Sequence, residues 1–295
     1  MSILINEHTR VLIQGITGAE GTRACKEALR YGTLVVAGVT PGKGGQTVEG
    51  VPVYNSVKEA QTQHKDINTS LIVVPAKFAL DAALEAIEAS IPLVVILTEH
   101  ITTQNSARIM AHAKAKNVRV VGPSSVGIIS PGKGKIGSIG MTTSEIFTPG
   151  NIGILSKSGG MTSEIALALT RCGFGQSTAV GIGADIILGS DFADLLKLFA
   201  QDEETKAVVL FGEVGGTYEE SAAEYIQGGF TKPVVALVAG AFADALPQET
   251  TLGHAGAIVS QGKGSYASKI QALREAGVHI AQTTEDIPKI LHTLL

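Results

Sequence analysis

Tryptophan is missing from this 295-residue sequence, and aromatic residues altogether make up only 4% of it. A platform that stacks successive bases needs aromatic side chains, so this composition does not suit single-stranded nucleic acid. Runs of Lys and Arg are absent too, and the net charge is −4 at pH 7. That balance argues against nucleic acid and acidic membrane surfaces as partners. Only Cys25 and Cys172 are present, in no metal-like spacing; they imply no disulfide framework and fit a reducing compartment. No apolar stretch reaches the length of a membrane span. The first residues, Met1-Ser2-Ile3-Leu4-Ile5-Asn6-Glu7, lack a basic segment leading into a long apolar one. The expectation is a soluble, cytoplasmic chain, although an organelle protein relieved of its transit peptide would read the same.

What the sequence does have is glycine, 35 residues of it, in a chain that is 44% hydrophobic and 17% charged. That is a globular composition rich in tight turns. In the first half, short β-branched runs alternate with helical periodicity. Arg10–Gln14, Leu34–Val39, Leu71–Val74, Leu93–Leu97 and Val118–Val121 read as strands, and Glu20–Tyr31, Phe78–Ser90 and Thr103–Lys116 as helices. Apolar strands separated by helices predict a parallel sheet covered on both faces, a Rossmann-like domain over residues 1–122. Residues 123–150 are rich in Gly, Ser, Thr and Pro and read as a linker with short extended pieces. A second parallel α/β unit, flavodoxin-like, is expected over 151–295. Its strands are Asn151–Leu155, Thr178–Ile182, Ala207–Phe211 and Pro233–Val238, and its helices are one following the turn Ser156–Glu164 to about Leu169, Phe192–Phe199, Glu219–Gln227 and Lys269–Glu275.

Two turns have the form of anion cradles. After the first strand comes Gly15-Ile16-Thr17-Gly18-Ala19-Glu20-Gly21-Thr22, whose glycines stand three apart at a strand-to-helix turn. This differs from the dinucleotide fingerprint, whose first two glycines are two apart. The second strand ends in Thr40-Pro41-Gly42-Lys43-Gly44-Gly45 where an NAD site would place an acidic residue. Lys43 there suits a ribose phosphate, or is a solvated loop lysine. A phosphorylated adenine cofactor other than NAD is the natural inference. The second cradle is Ser156-Lys157-Ser158-Gly159-Gly160-Met161-Thr162-Ser163-Glu164. It can present backbone N–H groups and a helix dipole to an anion, or it is ordinary helix capping. Glu213 follows a strand directly, flanked by Gly212 and Gly215-Gly216. It can orient an imidazole by accepting its N–H, or it is an exposed loop carboxylate. His254 sits in Gly253-His254-Ala255-Gly256-Ala257-Ile258, with small neighbours that leave the ring room to act as a nucleophile. A turn histidine would look alike. His100, after Leu97-Thr98-Glu99, is a ligand contact or a surface loop residue.

Taken together and in order, the Thr17-Gly18-Ala19-Glu20 turn, Pro41-Gly42-Lys43-Gly44-Gly45, Leu97-Thr98-Glu99, Ser156-Lys157-Ser158-Gly159, Gly212-Glu213-Val214-Gly215-Gly216 and Gly253-His254-Ala255-Gly256-Ala257 resemble the α subunit of succinyl-CoA synthetase and related NDP-forming acyl-CoA ligases. The resemblance covers essentially the whole chain. It implies that Thr17, Gly18, Ala19, Glu20, Lys43, Leu97, Thr98 and Glu99 line a CoA site. It implies that His254 is phosphorylated, that Glu213 steadies it, and that the helix after Ser158 points at the phosphate. Ser156, Ser158, Gly159, Gly160, Ser163 and Ser125 become phosphate- or substrate-binding candidates, with no metal ligands. ATP or GTP and Mg²⁺ are then expected mainly on a separate β subunit in a hetero-oligomer, consistent with the missing Gly-x-x-x-x-Gly-Lys-Ser/Thr motif. Pro123-Ser124-Ser125-Val126-Gly127 and Ser158-Gly159-Gly160-Met161-Thr162-Ser163-Glu164 depart from succinate-specific patterns, as does Leu246-Pro247-Gln248-Glu249-Thr250-Thr251. There the sequence is closer to ATP-citrate lyase and citryl-CoA synthetase, and a small residue at 163 suits a bulkier acid, so succinate, citrate and malate all stay open. A non-catalytic CoA- or nucleotide-binding regulator on the same scaffold is the alternative; a nicotinamide oxidoreductase is disfavoured by the glycine spacing and Lys43.

Overall fold

A computed structural model describes residues 2–140, 145–245 and 264–295. The first half begins with strand β1 (Arg10–Gln14), whose last four residues are buried. It runs through helix α1 (Ala19–Tyr31) into β2 (Leu34–Val39). Gly32 ends α1 at φ 91°, returning its N–H to the last turn, a left-handed stop that costs glycine nothing. A short hairpin, β3 (Thr47–Val48) and β4 (Val51–Tyr54), and a helix α2 (Val57–Gln63) follow. Then come β5 (Thr69–Ile72), α3 (Ala76–Glu88), β6 (Leu93–Ile96), α4 (Thr103–Ala115) and β7 (Arg119–Val121). The sheet order is β3-β4-β2-β1-β5-β6-β7, parallel except for β3. Its six parallel strands follow the doubly wound Rossmann order, with the reversal between β1 and β5.

The expected strand at Leu71–Val74 starts two residues earlier. Thr69 and Ser70 are polar but buried, and the Gln14 side-chain amide donates to Ser70 Oγ at 3.1 Å. Val73 and Val74 leave the ladder to line a crevice.

Residues 123–150, expected as a linker, include two strands of the second sheet. These are β8 (Gly127–Ser130) and β9 (Gly134–Gly137), an antiparallel hairpin around Pro131-Gly132-Lys133. The second half then supplies β10 (Pro149–Ser156), α5 (Gly159–Arg171), β11 (Gln176–Gly181), α6 (Phe192–Gln201), β12 (Ala207–Glu213), α7 (Tyr218–Gln227), β13 (Val234–Ala239), α8 (Tyr266–Glu275), β14 (His279–Ile280) and α9 (Asp286–Leu294). The order β14-β13-β12-β10-β11 is that of a flavodoxin-like parallel sheet, and β8-β9 extend its β11 edge antiparallel. The two halves are bolted together by that hairpin. Lys135 and Thr33 exchange backbone-to-hydroxyl hydrogen bonds at 2.8 Å in both directions, and Lys135 Nζ reaches Glu27 of α1 at 3.1 Å. One apolar cluster runs from Val11 and Ile13 through Ile128 and Ile136 to Leu155 and Leu210, so the core is continuous across the junction. Among the described residues no helix is long and apolar enough to cross a membrane.

Candidate functional site

The crevice at the β1/β5 reversal lies where a doubly wound sheet places its ligand. The turn after β1 makes it possible. Gly15 adopts φ +87°, the Gly18 N–H closes the turn on the Gly15 carbonyl at 3.0 Å, and Gly21 brings α1 against it. A Cβ on residue 21 would lie 2.1 Å from the Gly15 oxygen. The start of α1 therefore sits close above the strand ends, and Gly18, Ala19 and Glu20 line the opening.

Two adjoining cavities of about 600 Å³ each share Gly18, Val73, Val74 and Pro75 as walls. The first is lined by Ala19, Glu20, Leu97, Thr98, Glu99 and Ser125 as well, the second by Thr17, Thr40, Pro41 and Phe78. The structure thus gathers seven of the eight expected CoA-site residues around one crevice. Lys43, the eighth, is exposed and off both cavity walls, on the turn just beyond Thr40 and Pro41. Asn55 shapes that turn by accepting the Gly42 and Gly44 N–H groups at 2.9 and 3.0 Å. The Thr98 hydroxyl is committed to the Val74 carbonyl at 2.7 Å. Ser125 lines the first cavity, but its hydroxyl is engaged in the backbone, donating to Gly181 O at 2.6 Å and accepting from Gly127 N at 2.8 Å.

The second cradle sits at the β10/β12 reversal of the other sheet. Ser156 is fully buried, and its hydroxyl folds the turn by donating to Ser158 O and accepting from Ser158 N. It serves the turn's shape more than its open face. Ser158 caps α5, accepting from Met161 N at 3.5 Å. Nothing lies within 4 Å of where a Gly160 side chain would be, and Ser163 is partly exposed on the next turn. Gly159 packs directly on Val126, a wall of the first cavity, so that cavity and the α5 cradle are one side chain apart.

Glu213, at the end of β12, is next to this cradle because Ser156 pairs with Phe211 across the ladder. Sequence reasoning missed the charges beneath it. Lys157 is buried, with Nζ 3.6 Å from Glu213 Oε1 and 3.7 Å from Glu219 Oε1. Glu219 Oε1 also accepts the Glu213 N–H at 3.0 Å, while its other oxygen takes Lys269. Lys269 reaches Glu220 at 3.1 Å and the Gly216 carbonyl at 3.0 Å. The sequence signal available was a lysine between two serines at a strand end. Tyr218 covers Lys157, its ring centre 5.8 Å from Nζ; burial pushes its phenol up in pKa, against the Leu188 N–H bond that lowers it. Asp185, also missed, is buried beside Ser124, Glu99 and His100; burial raises its carboxyl above the usual range, and Oδ2 has no hydrogen-bond partner among the described residues.

His254 and the rest of its loop lie outside the described residues. The flanks are described. Gly240 packs on Val214, where a Cβ would lie 2.8 Å from Cγ1, and the Gly215 N–H donates to Gly264 O at 2.7 Å. Among the described residues no three His, Cys, Asp or Glu side chains come together as metal ligands.

Residues 6–100 match the CoA binding domain family and 155–279 the CoA-ligase family. The chain is 48% identical over its full length to an ADP-forming succinate–CoA ligase α subunit of Archaeoglobus fulgidus, covering 100% of each chain. It is 47% identical to the α subunit from Aquifex aeolicus, covering 100% of this chain and 96% of the relative. Among solved structures, ATP citrate lyase from Methanosaeta concilii in complex with (3S)-citryl-CoA superposes with TM-score 0.92 at 25% identity, over 99% of this chain and 50% of that one. A dinucleotide-forming acetyl-coenzyme A synthetase from Ca. Korarchaeum cryptofilum shares the fold with TM-score 0.76 at 20% identity, over 96% of this chain and 60% of that one.

Proposed function

The chain belongs to the family of ADP-forming succinate–CoA ligase α subunits, and from that premise we propose that it is the α subunit of a cytoplasmic acid–CoA ligase working through phosphorylated His254. Residues 1–122 hold CoA and 151–295 carry the phosphoryl chemistry, while a β subunit holds ATP or GTP with Mg²⁺. The acid is a small di- or tricarboxylate of the succinate or citrate type.

His254 attacks the terminal phosphorus of the nucleotide, so an N–P bond forms as the bond to the nucleoside diphosphate breaks. Glu213 accepts the N–H of the opposite ring nitrogen, which leaves the attacking nitrogen its lone pair. The N-terminus of α5 faces the transferred phosphoryl with free N–H groups and about half a positive charge. His254 then yields the phosphoryl to a carboxylate oxygen of the acid, and Gly160 and Ser163 leave room for that acid beside α5. In the last step the CoA sulfur bonds the acyl carbon and phosphate leaves. The crevice at α1 holds the CoA phosphates, and Val126 separates them from the α5 cradle by a single side chain.

One observation carries this reading: Glu213, the α5 N-terminus and both described flanks of the 246–263 segment converge on one reversal point. Gly240 and Gly264 rest on residues 214–216. His254 is ten residues from Gly264, a span of at most about 35 Å. The test is reconstitution with a β subunit, assaying nucleoside diphosphate release with succinate, citrate and malate in parallel. The expected result is a phosphate on His254, mapped by mass spectrometry, that is lost in acid and retained in base. Full activity in His254→Ala would overturn the reading.

A further inference from the structure

We infer that Lys157 is a positioning residue for Glu213, fixing from below where the carboxylate points and hence how the histidine it serves is held. This rests on the function proposed above. Lys157 sits in the middle of the α5 cradle, between Ser156 and Ser158, yet its side chain is only 1% exposed and turns away from the open face. Its ammonium stands 3.6 Å from Glu213 Oε1 and 3.7 Å from Glu219 Oε1, so one buried cation bridges the two carboxylates. Glu219 is itself fixed, by Lys269 on its second oxygen and by Gly212, which leaves it space. Through Glu219 Oε1 the same lattice grips the Glu213 backbone N–H at 3.0 Å. Backbone and side chain of Glu213 are thereby tied to one buried array of Lys157, Glu219, Lys269 and Glu220, roofed by Tyr218.

Stability alone gives little reason for that array. Buried ion pairs are often no more stabilising than well-packed apolar residues of the same volume. Their attested value is in fixing one geometry among several. Here the geometry fixed is that of the strand-end carboxylate, 12% exposed, which borders the cradle.

The experiment is a double-mutant cycle on the reconstituted αβ enzyme, following phosphohistidine formation and steady-state turnover. Lys157→Met is expected to lose about tenfold or more in kcat, with KM for CoA and acid changed by less than about twofold. Lys157→Arg recovers to within about fivefold of wild type. In a Glu213→Gln background, Lys157→Met costs less than about twofold more, because the residue it acts through has already lost its charge. Losses that simply add, or a Lys157→Arg variant no better than Lys157→Met, would overturn the inference. If Lys157→Met does not assemble, the cycle of Lys157→Arg with Glu213→Gln decides: the deficit of Lys157→Arg must vanish in the Glu213→Gln background, and its persistence overturns the inference. A wild-type enzyme without phosphohistidine overturns the underlying function as well. Phosphohistidine present with additive losses removes the Lys157 role alone.

Discussion

Gly212 and Glu219 compete for the same space: a Cβ on residue 212 would lie 2.7 Å from both Cγ and Oε1 of the Glu219 side chain. That carboxylate is 1% exposed and is gripped by Lys269 and the Glu213 N–H, so it has nowhere to go. Gly212→Ala is therefore expected to destabilise the protein by about 1–3 kcal/mol, the usual range for overpacking. Turnover should fall with it, because Glu213 is the next residue. Chemical denaturation and kcat measured on the same preparation check both. Unchanged stability would mean that Glu219 can relocate at little cost.

Lys135 and Glu27 make a second buried pair, with side chains 5% and 15% exposed, that spans the junction of the two halves. Removing one partner of a buried pair costs more than the pair itself contributes, because the remaining charge is left uncompensated. The more buried charge should suffer more. Glu27→Gln is expected to cost roughly 2–4 kcal/mol and Lys135→Met clearly less, since Glu27 borders the first cavity and can hydrate. Equal losses in thermal unfolding would show that hydration does not help Glu27.

Most of the parallel strands are legible in the sequence because strands buried on both faces are short apolar runs, and Val11-Leu12-Ile13 or Val208-Val209-Leu210 announce themselves. The β8–β9 hairpin is hidden because each strand is only four residues long, and Gly127, Gly134 and Gly137 cut its Ile128-Ile129 and Ile136 into runs too short to read as strands. Gly127 and Gly137 let the two backbones touch, and a Cβ on Gly127 would lie 2.0 Å from Ile136 O. The short helix α2 is not among the expected helices, although its start carries a capping signal, with Ser56 accepting from Glu59 N at 3.1 Å and Glu59 reaching back to Asn55 N at 2.8 Å. Most of the candidate site is legible as turn motifs, because Gly18 or Ser158 must stand at a strand-to-helix junction. The array under Glu213 is not, since Lys157 and Lys269 both meet Glu219 only after β10, α7 and α8 are packed.

Asp185 predicts a pH effect on stability. Its carboxyl is raised above the ordinary aspartate range chiefly by burial, with the Ser124 hydrogen bond opposing. A raised acid holds its proton longer in the folded state than in the unfolded one, so stability falls as pH climbs through that interval. Above its raised folded-state pKa the protein bears the full penalty; well below the unfolded aspartate pKa of about 3.9 it bears none. Asp185→Asn should raise the unfolding temperature near pH 7.5 relative to wild type, and the gain should shrink towards zero as pH is lowered towards 4. A gain independent of pH would assign the effect to packing.

Val126 is wedged between the two halves of the site. A Cβ on Gly159 would lie 2.2 Å from its Cγ1 and a Cβ on Gly181 would lie 2.4 Å from its Cγ2. Gly159→Ala must therefore displace Val126, and the open side available is the first cavity, which Val126 lines. The helix start and the crevice would then be damaged together: phosphohistidine formation slows as the α5 N-terminus shifts, and KM for CoA rises as the crevice narrows. Val126→Ala removes both methyl groups that the new Cβ meets. The Gly159→Ala/Val126→Ala double variant should then recover most of the loss, a coupling of about 1–3 kcal/mol in kcat/KM between residues in contact. If the double variant is no better than Gly159→Ala, glycine at 159 is needed for its exposed backbone N–H and not for the space it gives Val126.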